Sequence, residues 1–173
     1  MRFGIPALLI ITLLSGGCAT TKTHEPVTSI GPFNTFTGRL IVIEPTRRWQ
    51  VIVDWNGVPD KGVVRLTHAA SNRIVQVAWD HENMQIRDNA DRSHQWKSVS
   101  KQTLSENGII LPPQQLARIL SDDMPGDLIE KRPGEWEGRI DASFLRIKWS
   151  EKQQRLELTD MTHGRTAILI IQP

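Results

Sequence analysis

The chain has 173 residues, with 21 Lys and Arg against 19 Asp and Glu and a formal net charge of +2, so it lacks the basic excess that nucleic-acid binding draws on. A single cysteine excludes an intramolecular disulfide. Six Trp and no Tyr concentrate the large aromatic surface in side chains that pack in a core or line apolar space.

Met1-Arg2 is followed by an apolar run, Ile5 to Leu14, and then by Ser15-Gly16-Gly17-Cys18. A run of about ten apolar residues behind a basic start is the hydrophobic stretch of a signal peptide and is too short for a permanent span. Small residues directly before a cysteine resemble the lipobox of bacterial lipoproteins, although Ser15 stands where those proteins usually carry Leu. The resemblance implies cleavage after residue 17 and covalent diacylglycerol and acyl chains on Cys18. Acyl anchoring contributes about 0.8 kcal/mol per buried methylene, and two or more chains make it stable. Ala19 follows the cysteine, and by resemblance to Gram-negative lipoproteins this directs the chain to the periplasmic face of the outer membrane. Residues 18–34 read as a polar, turn-rich tether, and residues 35–173 as one domain long enough to own a core.

Strand patterns begin at Gly38–Ile43. Trp49, Val51, Val53 and Trp55 alternate with polar residues, the period of a strand with one apolar face. Asn56-Gly57 and Pro59-Asp60-Lys61-Gly62 supply turns. Val63–Thr67, then Val75, Val77 and Trp79, then Met84 and Ile86 complete a meander of about five strands. Val99–Asn107 is expected to be a short helix stopped by Gly108. Pro113 suits the first turn of a second helix in which Leu116, Ile119 and Leu120 share a face. Asp122-Asp123-Met124-Pro125-Gly126 ends it. Strand patterns return at 128–131, 136–140, 144–149, 155–160 and 166–171. Ten or so antiparallel strands interrupted by a helical insert favour a mainly β domain built as a single curved antiparallel sheet or a barrel, with the helices plugging or capping an opening.

Catalytic constellations do not stand out. His24, His68, His81, His94 and His163 are scattered, and no metal-ligand spacing or nucleophile elbow is present. The adjacent pair Asp122-Asp123 reads as a solvated turn. No catalytic residue, metal or cofactor is expected, apart from the covalent lipid on Cys18. Apolar side chains on a curved sheet either fill a core or line a pocket for a greasy ligand, and the pattern leaves both open.

Several segments together resemble the LolB family of outer-membrane lipoproteins. Phe36-Thr37-Gly38-Arg39-Leu40-Ile41-Val42 is similar to the family's first strand, and Asp54-Trp55 ends a second strand as its aromatic-Trp pair does. Asn107-Gly108-Ile109-Ile110-Leu111-Pro112-Pro113 through Leu120, followed by Met124-Pro125-Gly126-Asp127, resembles its helical insert; Ile119 replaces a Trp and Asp123 a Gly. The resemblance implies a half-barrel, one curved antiparallel sheet forming an incomplete barrel capped by helices, around an apolar cavity that takes acyl chains of client lipoproteins from a periplasmic LolA-type carrier and helps insert them in the outer membrane. On that reading the strands contribute Leu40, Val42, Val51, Val53, Trp55, Leu66, Val75, Val77 and Trp79 to the cavity, and the insert contributes Leu116, Ile119 and Leu120. The family's membrane-delivery loop, which carries a protruding leucine, corresponds to Ala69-Ala70-Ser71. A monomer would suffice. The alternative is an assembly lipoprotein of the envelope with a filled β-domain and no lipid transfer.

Overall fold

The computed structural model describes residues 29–172; the expected signal peptide, the expected lipidation site Cys18 and the tether up to residue 28 lie outside the described residues. Eleven strands form one antiparallel sheet in the order β6-β5-β4-β3-β2-β1-β11-β10-β9-β8-β7. The first half is a meander: β1 Thr35–Ile43, β2 Arg48–Val58, β3 Lys61–His68, β4 Arg73–Asp80, β5 Asn83–Asp88 and β6 Lys97–Ser98. The second half comprises β7 Leu128–Arg132, β8 Glu135–Ile140, β9 Ser143–Ser150, β10 Arg155–Asp160 and β11 Arg165–Gln172. β1 and β11 join the halves in register, Leu40 opposite Leu169 and Val42 opposite Ala167.

Alternation decides which face is inside. In β2 the buried residues Val51, Val53, Trp55 and Gly57 alternate with exposed ones. Direct cross-strand partners extend that face: Val51 to Leu40, Val53 to Leu66, Trp55 to Val64, and Val64 to Val77. On the other side Leu156 pairs with both Leu169 and Trp149. A long twisted sheet curls rather than staying flat, and the apolar residues occupy its concave side. At one point the curl needs glycine. The Trp79 ring lies against Gly57 and Gly62, which face each other on β2 and β3, and a Cβ at either would collide with the ring. The indole Nε1 donates to the Val58 carbonyl at 3.0 Å.

The two ends of the strand order, β6 and β7, are consecutive in sequence apart from the helical insert. That insert therefore has to travel from one sheet edge to the other, and it does so over the concave side, leaving the barrel open as expected. Helix α1, Lys101–Glu106, is capped by Ser100, whose Oγ accepts from the Thr103 N–H. Helix α2, Pro113–Leu120, opens on a proline and buries Ala117, Ile119 and Leu120. The pair Asp122-Asp123 closes α2: Asp122, in the left-handed region at φ 60, accepts from the Ile30 N–H, and Asp123 takes the Arg118 guanidinium at 2.7 Å. The two carboxylates thus hold separate backbone and side-chain partners. β6 is the strand that periodicity misses, because two residues define no period; α1 is shorter than expected at both ends.

Candidate apolar cavity

The concave face is not uniformly filled. Between β2–β5 and α1 it leaves a cavity of about 730 Å³. Its walls are Val51, Leu66, Val75, Val77 and Ile86 from the strands, with Trp49 toward the β1–β2 turn. Val99, Leu104 and Ile109 roof it from the helical insert. The polar lining includes His68 at the end of β3, Ser71 in the turn after it, Arg73 and Asp88 on β4 and β5, Asp91 and Gln95 in the β5–β6 loop, and Lys97 on β6. The arrangement is a greasy trough with a polar rim, the usual composition of a site for an apolar ligand.

The residues anticipated for such a cavity separate into three groups. Val51, Leu66, Val75 and Val77 line it. Leu40, Val42, Val53, Trp55 and Trp79 lie on the same face but outside the lining, in continuous packing. Phe36 stacks on Trp55 at 5.9 Å, and Trp55 meets Trp79 at 5.1 Å. Leu116 is half-buried, while Ile119 and Leu120 are fully enclosed, so α2 is part of the solid interior. The roof comes from α1 instead. Trp49, Ile86, Val99, Leu104 and Ile109 were not anticipated as lining. Trp49 and Ile86 share the apolar phase of their strands, and Leu104 is the sole leucine of the expected first helix, which were the signals that could have found them.

Helix α1 is lightly held. Leu104 is its one buried residue. Arg165 on β11 donates to the Ser105 carbonyl at 2.8 Å. The Asn107 N–H and side chain return to the Thr103 carbonyl. Gly108, at φ 88, sits against the carboxylate of Glu44 from the β1–β2 turn. Glu44 in turn accepts from Arg47 at 2.8 Å and from the Trp49 indole at 3.3 Å.

The rim carries ion pairs. Arg73 pairs with Asp88, and Lys97 with Asp91. The Lys97 ammonium, with the N–H and hydroxyl of Ser93, holds the Asp91 carboxyl down to about 2. The Arg73 guanidinium likewise lowers Asp88, and the Arg47 guanidinium lowers Glu44. Ala69, Ala70 and Ser71 are exposed; the turn is closed by the Ser71 N–H on the His68 carbonyl at 3.3 Å and by a His68 Nδ1 to Ser71 Oγ contact of 2.9 Å. Among the described residues no group of His, Cys, Asp and Glu is placed to hold a metal ion, and no helix is long and apolar enough to cross a membrane.

The class defined by this geometry is an open antiparallel half-barrel with an apolar trough roofed by a short helix. A family model described as outer membrane lipoprotein LolB matches residues 34–126, from β1 through α2 and its closing turn. The chain belongs to the LolB family, and with it to lipoprotein localisation. A similar solved structure is the LolA superfamily protein NE2245 from Nitrosomonas europaea, 13% identical, with 85% of this chain and 88% of that chain covered and a TM-score of 0.46. No curated protein matches the sequence.

Proposed function

We propose that the protein is an outer-membrane-anchored acceptor that shelters acyl chains of client lipoproteins delivered by a periplasmic LolA-type carrier and helps insert them in the membrane. The anchor is the lipid on Cys18, and the chain acts as a monomer without a cofactor. The observation carrying this reading is the 730 Å³ trough walled by Val51, Leu66, Val75, Val77 and Ile86. Leaving an acyl chain in water costs about 0.8 kcal/mol per methylene, so the trough offers a large gain to any chain that enters. Its walls offer few hydrogen bonds, which keeps exit open. The exposed turn at Ala69–Ser71 lies beside the mouth, where the client must leave for the bilayer. Nothing in this transfer needs covalent chemistry: the rim carboxylates are held by Arg47, Arg73 and Lys97.

The test is transfer. The mature chain beginning at Cys18 is reconstituted in vesicles and incubated with carrier loaded with labelled triacylated lipoprotein. Label moving to the vesicles is the expected result. A solid interior is favoured by the β8–β11 side, where Leu145, Ile147 and Leu156 are fully enclosed, and that observation supports the scaffold alternative; it predicts no movement of label and no uptake of a fluorescent fatty acid.

A further inference from the structure

The rim of the trough carries a residue the acyl-acceptor reading does not use. Trp96 is 38% exposed, in the loop between β5 and β6. Its neighbours Gln95 and Lys97 line the cavity, and Trp96 between them turns the other way, onto the outer face of the sheet at the same end as the mouth, where Arg87 and Gln76 pair. Its ring is braced by Arg87, whose guanidinium carbon lies 4.8 Å from the ring centroid and whose Nε donates to Gln76 at 3.0 Å. A half-exposed indole on a firm support is the residue type that settles at a bilayer interface.

Charge points to the same occupant. The three segments that frame the mouth, 44–48, 68–73 and 87–97, carry Arg47, Arg48, Arg73, Arg87, Arg92 and Lys97 against Glu44, Asp88 and Asp91. This local excess of three positive charges stands out in a chain whose whole net charge is +2, and it complements the phosphates of an anionic lipid surface.

Capacity and reach agree. A methylene takes up about the volume of a liquid water molecule, about 30 Å³, so a 730 Å³ trough holds about two dozen. Three long acyl chains exceed that roughly twofold, and whatever the trough cannot cover needs a bilayer at its mouth. β1 starts at Thr35 on the side away from the mouth and runs nine residues to it, about 30 Å. The eleven residue-to-residue steps from Cys18 to Ser29 reach about 35–40 Å when extended. A lipid on Cys18 therefore leaves enough chain for the mouth to turn toward the membrane that holds it.

We propose that the rim around Trp96 is a membrane-docking surface, with Trp96 at the interface and the surrounding arginines on lipid phosphates, so that the trough opens directly onto the bilayer. The proposal rests on the acyl-acceptor reading for its purpose, but its test separates the two. The mature lipidated chain is placed in vesicles of brominated phosphatidylcholine with about a quarter phosphatidylglycerol, and tryptophan emission is recorded at low salt. Trp96→Phe keeps a ring against Arg87 and removes the reporter. Quenching that disappears in Trp96→Phe, and falls several-fold when Arg48→Glu and Arg92→Glu are combined, is the expected result. Equal quenching in both chains would come from Trp49 meeting an acyl chain inside the trough; it would overturn docking while leaving acyl binding standing. An absence of quenching in the unaltered chain also overturns docking.

Discussion

Val75 and Leu145 both present apolar side chains to the concave face, yet they have different surroundings. Val75 borders the trough and is half-buried, whereas Leu145 is fully enclosed. Val75→Trp should occupy the trough and weaken binding of a fluorescent fatty acid at least tenfold, with thermal unfolding little changed. Leu145→Ala should cost about 2–5 kcal/mol of stability and leave binding per folded molecule intact. At Gly62 the Trp79 ring leaves no room for a Cβ, so Gly62→Ala should cost about 1–3 kcal/mol by displacing the ring, read by chemical denaturation. Acid acts on the rim. The Asp91 carboxyl is held down to about 2 in the folded chain against a reference of 3.8, so its contribution is complete above about pH 5 and is lost as pH falls through about 2. The Asp88 and Glu44 carboxyls are lowered too and act in the same direction. Protection of the 89–96 amides, taken relative to their intrinsic exchange rates at each pH, should fall between pH 5 and pH 2 and stay level from pH 5 to 8.

Elements differ in how firmly they are held, and α1 stands out. With Leu104 as its one buried residue and an anchor from Arg165 to the Ser105 carbonyl, it should open before the sheet does. Leu104→Ala should raise amide exchange at 101–107 several-fold while β1, β2 and β11 keep their protection. The strands were legible in the sequence because Trp49 to Trp55 and Val75 to Trp79 alternate cleanly and turn residues punctuate them. β6 was not, since its two residues exist as strand only through pairing with Gln85 and Ile86. The face of the site was legible and its depth was not. Period-two alternation places Val53, Trp55, Val75 and Val77 on one side, but how far along each strand the packing stops depends on where the helices land. α2, whose proline start and apolar face are easily read, landed in the interior; the weakly patterned α1 landed over the gap.

For the whole molecule, the sheet's two edges are tied by the segment between β6 and β7, and this makes an open half-barrel rather than a closed one. An opening that only a short helix covers can widen without breaking strand hydrogen bonds, which suits a ligand larger than the resting trough. The N-terminal half, matched by the LolB family model over 34–126, contains every wall of the cavity; the β8–β11 half supplies a packed buttress. The most direct measurement is a titration of the mature chain and its Val75→Trp form with a fluorescent long-chain fatty acid. Acyl binding in the trough predicts saturable enhancement in the unaltered chain and its loss in Val75→Trp, with both forms folded. No saturable binding in the unaltered chain, or equal binding in the two, would contradict it.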